Sequence, residues 1–263
     1  MTEEVRLPAR VRRDRMLAVV REREFVPVAE LAERFDISEV TVRGDLDALA
    51  ERGQLRRVRG GAVPAAGVMI EHPFEDAKVT AAREKRDIGR AAARLVSSGD
   101  TVILDVGTTT TAIARELAAR EDLTDVTAFT SSLTIAMTLE AASPRITVVV
   151  TGGTLRPTQH SLVEPLAGLV LAQIHAGLCF LGCNGVDADA GVTNVNLPET
   201  QVKQLMLRAA GRRIVCADHR KLGAIALAHV CDLDQVDLLV TDGAADPGLL
   251  EGLRDTGLEV QLA

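Results

Sequence analysis

The sequence has no tryptophan and no tyrosine, and aromatic residues make up only 2% of it. That scarcity argues against binding of single-stranded nucleic acid, which relies on aromatic side chains as stacking platforms. It also requires aliphatic cores, drawn from the residues that raise the hydrophobic share to 47%. No uncharged apolar run reaches the roughly 18 residues that a membrane span needs. The first residues carry Glu3, Glu4 and Arg6 and no long apolar stretch, so no secretory leader is expected. Cysteine is scarce as well. Cys179 and Cys183 sit in an apolar run, where Cys acts as a small hydrophobe, and Cys216 and Cys231 supply no second compact pair. No metal site and no cofactor are expected, and the cytoplasm is the expected compartment.

A net charge of -7 over 263 residues discourages a nucleic-acid reading at first sight. The charge is unevenly spread, however. Residues 1–60 hold 13 Arg, no Lys and 12 acidic residues, a net of +1, whereas the remaining 203 hold 17 basic and 25 acidic groups, a net of -8. Two parts with different partners are expected.

The segment from Arg10 to Arg23 reads as a helix with Met16, Leu17 and Val20 in its apolar stripe. Phe25 to Val28 is an extended break, because Pro27 disfavours helix at Val26 and can begin the next one. Val28, Leu31, Ala32 and Phe35 give a second, short helix. Asp36-Ile37 turns the chain, and Ser38 is a good N-cap for a third helix running to about Arg52, with Val42, Leu46, Leu49 and Ala50 inward and Gly53 at its end. Leu55 to Val63 reads as a hairpin turning at Gly60-Gly61. Three helices followed by a basic hairpin describe a winged helix-turn-helix, whose third helix enters the major groove of double-stranded DNA. Ser38, Glu39, Thr41, Val42 and Arg43 are the candidate contacts on that helix. Arg56, Arg57 and Arg59 on the wing are the candidates for phosphates or the minor groove. A small packing domain with solvated arginines is the plainer alternative, but these charges fall on the two elements that a winged helix uses.

Residues 64–80, with Pro64, Gly67 and Pro73, read as a linker between a domain over 1–63 and one over 81–263. From Ala82 onward helices and strands alternate. Strands are expected at Thr101–Val106, Val126–Thr130, Ile146–Val150, Gly177–Leu181, Arg213–Ala217 and Val236–Val240. This alternation implies an open α/β sheet with helices on both faces. Small or polar residues follow most of these strands: Asp105, Gly107 and Thr108 to Thr111; Ser131 and Ser132; Gly152 and Gly153; Gly182 and Gly185; Asp218. Ligands in such folds sit beyond the carboxyl ends of the strands, and a helix start at Thr108 offers amides to an anion. The loop lacks the Lys of a Walker A sequence and the Gly spacing of a dinucleotide fold. Turn-shaping and helix-capping alone would also account for any one of these loops. Glu199 and Lys203, four apart on a helix, share a face or form a plain surface ion pair. Lys203 and Lys221 are the cations available for a phosphate.

Together these residues resemble the DeoR (GlpR-type) family of bacterial sugar-metabolism repressors over nearly the whole chain. The resemblance is carried by Val28-x-x-Leu31-Ala32 through Phe35, Ser38, Thr41-Val42-Arg43-x-Asp45-Leu46 and Gly60-Gly61-Ala62. It continues in Glu84-Lys85, Asp105-x-Gly107-Thr108-Thr109, Thr130-Ser131-Ser132, Gly152-Gly153-x-Leu155-Arg156, Gly182-x-x-Gly185-Val186, Glu199 with Lys203, and Asp218-x-x-Lys221. The resemblance implies a winged helix joined to a sensor domain similar to ribose-5-phosphate isomerase. It further implies relief of repression by a phosphorylated sugar or sugar acid, and assembly as a homodimer or homotetramer. Asp105, Gly107, Thr108, Thr109, Gly152, Gly153, Gly182, Glu199, Lys203, Asp218 and Lys221 are then the effector-site residues. The sequence departs from the family at Gly44, where a second Arg is common, and at Pro157 to Ser161, where a glycine pair is usual. An enzyme that converts a sugar phosphate, with Asp105 or Glu199 as base and the winged helix as an accessory, is the alternative. Fold alone carries no chemistry, and His219 has no matched nucleophile.

Overall fold

In the N-terminal unit, Met1–Ile70, three helices bury their apolar stripes against one another. The computed structural model describes residues 8–21, 26–52, 54–58, 60–64 and 71–263. Helix α1 (Ala9–Arg21) contributes Met16, Leu17, Val19 and Val20 to the core, while Val11 stays exposed. Strand β1 (Val26–Pro27) leads directly into α2 (Val28–Phe35), with extended Pro27 as its N-cap residue. Asp36 ends α2 in the left-handed region at φ 49, and its amide reaches back to the helix carbonyls of Ala32 and Glu33. Ser38 then caps α3 (Glu39–Glu51), its hydroxyl accepting the Thr41 amide at 3.2 Å. Strands β2 (Leu55–Val58) and β3 (Gly61–Pro64) form the hairpin. The extended break is itself a strand: Val26 and Pro27 pair with Ala62 and Gly61, giving a three-stranded sheet in the order β1-β3-β2. The expected Gly53 helix stop lies outside the described residues.

Asp45 of α3 is the unit's buried charge. Its two oxygens accept Arg12 Nε at 2.6 Å and Arg13 Nε at 2.7 Å, which pins α1 to α3. This carboxylate was legible only as part of a motif, because its partners lie more than thirty residues away in sequence.

The second unit, Glu71–Ala263, begins inside the expected linker. Helix α4 (Phe74–Val79) packs into it with Phe74 buried, and the Phe74 amide donates to the Thr158 carbonyl at 2.8 Å. Helix α5 (Ala82–Ala93) leads to β4 (Thr101–Leu104), α6 (Thr108–Ala119), β5 (Val126–Thr130), α7 (Leu133–Glu140) and β6 (Ile146–Val150). A short hairpin follows, β7 (Thr154–Arg156) with β8 (Ser161–Val163), then α8 (Leu166–Leu171) and β9 (Ala176–Leu181). The chain continues through β10 (Gly185–Asp187), β11 (Gly191–Asn194), α9 (Leu197–Arg208), β12 (Ala210–Cys216), β13 (Ala228–Cys231), β14 (Leu238–Thr241), α10 (Pro247–Asp255) and β15 (Val260–Leu262).

Seven strands build one parallel sheet in the order β15-β14-β12-β9-β4-β5-β6. Its strands β4, β9 and β14 read as largely apolar runs because both faces are covered there. Ile103, Leu181, Val215 and Leu239 pack with side chains of α8, α9 and α10, whereas Val102, Leu104, Phe180 and Ile214 pack with α5, α6 and α7. Gly89 lets α5 approach α6 closely, since a Cβ there would lie 2.8 Å from the Ala112 carbonyl carbon. The hairpin β7–β8 and the antiparallel sheet β10-β11-β13 stand outside the expected alternation. Among the described residues no helix is long and apolar enough to cross a membrane.

Two substitutions on α3 should move stability in opposite directions. Gly44 is exposed, and a Cβ there meets nothing within 4 Å. Gly44→Ala should therefore stabilise the N-terminal unit by about 1 kcal/mol, the helix-propensity difference. Asp45→Ala leaves two arginines without their carboxylate and should cost roughly 2–3 kcal/mol. Urea unfolding of the full chain, followed by probes in each unit, checks both; a neutral Asp45→Ala would remove the α1–α3 clamp from the account.

Candidate functional site

On α3 the exposed positions Val40, Arg43, Gly44 and Asp47 recur at helical spacing and so share one face. Arg43 pairs with Glu39 at 2.5 Å. Arg57 of the wing spans from Asp47 at 2.9 Å to the Arg43 carbonyl at 3.0 Å, so it ties the hairpin to α3. Ser38 is committed to capping and also bonds the Thr41 hydroxyl at 2.9 Å. Arg56 is exposed, and Arg59 lies outside the described residues. Val42 requires a correction. It is fully buried in the helical core, so it cannot reach a groove. The apolar residue that the sequence reading overlooked is its neighbour Val40, 75% exposed at the start of α3, where no packing accounts for it. An aliphatic group at such a position suits a thymine methyl.

In the second unit the parallel sheet brings all the strand ends to one edge. Asp105, just past β4, is completely buried, and so is Lys203 of α9. The Lys203 ammonium donates to Asp105 Oδ2 and to the Gly182 carbonyl at 3.0 Å, while the Gly182 amide donates to the same carboxylate oxygen at 2.9 Å. Burial pushes the Asp105 carboxyl up, opposed by Lys203; burial also weakens the Lys203 proton, but Asp105 and Glu199 outweigh it and hold the ammonium charged. A Cβ at Gly182 would make only ordinary van der Waals contact, 3.4 Å from the Val106 carbonyl oxygen and 3.6 Å from Asp105 Oδ2, so the approach does not itself demand glycine. The other carboxylate oxygen, Asp105 Oδ1, is buried with no hydrogen-bond partner. Lys203 is thus committed internally and is not the spare cation that its sequence position suggested.

Glu199, four residues before Lys203, forms a second cluster rather than a surface pair. Its Oε1 accepts the Ser161 hydroxyl at 2.6 Å and Arg156 Nη1 at 2.5 Å. Arg156 also grips Glu71, with contacts of 3.1 and 2.7 Å. Burial raises the Glu199 carboxyl, while Lys203, Ser161 and Arg156 oppose the rise.

A third cluster lies past β12. Asp218 is buried and accepts Arg220 Nε at 2.8 Å. Burial alone would raise its carboxyl, but Arg220, Lys221 and Lys85 hold it below the ordinary range. Lys85 of α5 is buried and donates to the Ala77 carbonyl at 2.7 Å. Burial, with Arg220 and Lys221 adding to it, lowers its ammonium to about 8 against the attraction of Asp218. Asp242, past β14, accepts the His219 amide at 2.7 Å and faces its ring Nδ1 at 2.9 Å.

The remaining expected residues divide. Gly107 begins α6 at φ 134 without a side-chain cap, with Thr108 and Thr109 half-buried beside it. The Thr110 and Thr111 hydroxyls are already spent on the Gly107 carbonyl, at 3.0 and 2.7 Å. Gly153 answers a packing need, since a Cβ would come within 2.2 Å of the Val163 carbonyl oxygen. Gly152 turns the chain at φ 74. Ser131 is buried, and its carbonyl receives the Leu162 amide at 2.8 Å. Arg156 and Lys85 stood in the sequence motifs without a role, and Glu71, Ser161, Arg220 and Asp242 gave no signal at all, being joined by tertiary contacts. Among the described residues no group of His, Cys, Asp and Glu could hold a metal ion.

Family comparison agrees with this arrangement. A model of the DeoR-like helix-turn-helix domain matches residues 12–66, and a model of the DeoR C terminal sensor domain matches residues 80–243. The HTH-type transcriptional regulator GolR of Listeria innocua is 32% identical, over 80% of this chain and 81% of its own. The glycerol-3-phosphate regulon repressor of Escherichia coli (strain K12) is 28% identical, over 79% of this chain and 80% of its own. Among solved structures, ribose 5-phosphate isomerase A from Methanocaldococcus jannaschii is 20% identical over 52% of each chain, with a TM-score of 0.39.

The commitment of Lys203 predicts strong coupling to Asp105. Lys203→Met strands a buried carboxylate and should cost about 3 kcal/mol or more, whereas adding Asp105→Leu to it should recover most of that loss. Thermal and urea unfolding of the two single variants and the double variant measures the coupling; additive losses would mean that the two charges do not act as a pair.

Proposed function

Because the chain belongs to the DeoR family of helix-turn-helix transcriptional regulators, we propose that it is a sequence-specific repressor that releases DNA when a phosphorylated sugar or sugar acid binds at the strand ends of its C-terminal unit. Lys85 is the observation that carries the phosphate. A buried ammonium whose proton is weakened to about 8 gains from a nearby dianion, and Lys221 and Arg220 lie within electrostatic reach of it. The surrounding unit is otherwise acidic, with residues 61–263 at a net of -8, so cations gathered near one loop are not a general surface property.

Carboxylates read the rest of the effector. Asp105 Oδ1 is buried and lacks a donor, and a sugar hydroxyl supplies one. Gly107 and the start of α6 offer backbone amides to an anion, with Thr108 and Thr109 beside them. Ser131, Gly152, Gly153, Gly182, Glu199, Lys203 and Asp218 shape the surrounding wall. The DNA contacts run through Glu39, Val40, Thr41 and Arg43 of α3, with Arg56 and Arg57 from the wing. A dimer or tetramer presents two such helices to half-sites about 34 Å apart, one turn of DNA. The glycerol-3-phosphate regulon repressor of Escherichia coli, a relative of this chain, is named for a phosphorylated three-carbon alcohol, which supports a phosphorylated effector.

Ligand panels test the phosphate. Glycerol 3-phosphate and ribose 5-phosphate should raise the melting temperature and lower operator affinity, with glycerol and ribose inert at the same concentration. A coupling of about 1–3 kcal/mol between the two sites suffices for regulation. The phosphate favours protonated Lys85, so affinity should fall as pH rises past about 8 and Lys85 deprotonates in the free protein. Lys85→Met should bind more weakly and lose that pH dependence. Equal binding of phosphorylated and unphosphorylated sugars would refute the reading.

A further inference from the structure

Residues 71–79 are tied to the rest of the C-terminal unit at four points. Glu71 receives both terminal nitrogens of Arg156. The His72 carbonyl accepts Gln159 Nε2 at 2.6 Å. Phe74 donates its amide to the Thr158 carbonyl and lays its ring on His160, with centroids 5.2 Å apart. The Ala77 carbonyl accepts the Lys85 ammonium at 2.7 Å. Three of the four ties go to the β7–β8 hairpin, two of them in the stretch Pro157 to Ser161, where the sequence departs from its family. His160 there stands at φ 52, a backbone region that favours glycine, and its ring is what Phe74 packs on.

The outermost ties use two cations, Arg156 and Lys85. Lys85 carries the phosphate reading above. Arg156 reaches the site wall through Glu199, yet it serves two carboxylates at once with a single positive charge. Its planar fork binds a phosphate as readily as a carboxylate, and in the same bidentate manner. Glu71 is four-fifths buried against it, so the ion pair is a specific contact rather than a loose surface one.

We propose that residues 71–79 form a strap that holds Arg156 and Lys85 in the effector-free protein, and that the effector's anionic group displaces it by taking Arg156 from Glu71. This rests on the reading of the unit as a phosphate sensor and adds Arg156 to the residues that bind the ligand. The strap has a direct covalent route to the DNA-binding unit: only residues 65–70 separate Glu71 from the end of wing strand β3. The displacement conserves charge pairing, since one anion replaces another on the same guanidinium, and Glu71 moves to water.

The test uses the full chain, with glycerol 3-phosphate and ribose 5-phosphate as probes. In the wild type, whichever probe binds should accelerate amide hydrogen exchange across residues 71–80 several-fold. Glu71→Gln should produce the faster exchange without any probe, and should tighten probe binding by roughly tenfold, because the internal competitor for Arg156 is gone. Gln159→Ala loosens the same strap without touching Arg156 and should shift both readouts in the same direction by less. If the probes bind the wild type but Glu71→Gln and Gln159→Ala bind them no more tightly, the strap is only structural and the proposal falls by itself. If neither probe binds the wild type, the phosphate-sensor reading falls and the exchange at Arg156 falls with it.

Discussion

Placing Asp105 and Lys203 together away from water removes two charges from their solvent, and only close pairing with full hydrogen bonding makes this tolerable. The structure supplies the bonds to Lys203 and to Asp105 Oδ2 from three elements: the end of β4, the end of β9 through both backbone groups of Gly182, and helix α9. The pair fixes how these elements meet at the edge where the strands end. The remainder of the site is hung on that junction. Glu199 lies on the same helix as Lys203, and Arg156, Ser161 and Glu71 are placed in turn by Glu199. The second oxygen, Asp105 Oδ1, has no protein partner of this kind, and a buried acceptor without a donor is costly.

Sequence patterning reveals elements whose signals are local. The α2–α3 turn was legible because Asp36, Ser38 and the 3,4 spacing around Leu31 act within a few residues, and strands β4, β9 and β14 were legible because burial on both faces leaves a largely apolar run. Contacts between distant segments were not. Val42 was taken for a groove contact from its place in a motif, although its alignment with Leu46 and Leu49 marks the inward face. Asp45 stood in a motif with no partner named, since Arg12 and Arg13 lie more than thirty residues away. The segment at 71–80 read as linker because its prolines and charges describe a loop, whereas its structure depends on Thr158, Gln159 and His160. In the same way Lys203 read as a spare cation, because nothing near it in sequence discloses Asp105.

The C-terminal unit gathers part of its charge into two connected sets. Glu71–Arg156–Glu199 is one, and Asp218 with Arg220, Lys221 and Lys85 is the other, each combining groups from separate elements. Within such a set an added anion alters the partner of each cation it meets. That property distinguishes a sensing surface from a packed core, whose aliphatic side chains here fill both faces of the sheet without any polar choice to make.

The exposed face of α3 proposed to meet DNA carries its own counter-charges: Arg43 lies against Glu39, and Arg57 against Asp47. A duplex of arbitrary sequence attracts a protein through phosphate neutralisation, with a strength that rises with the number of unpaired cations offered. Here two of those cations arrive already neutralised, within a segment whose net charge is only +1. Fewer free cations mean a smaller counterion contribution to sequence-independent binding, and a shallower salt dependence, than the arginine count alone implies. A DNA contact made by Arg43 or Arg57 would have to exchange an existing carboxylate partner for a phosphate or a base.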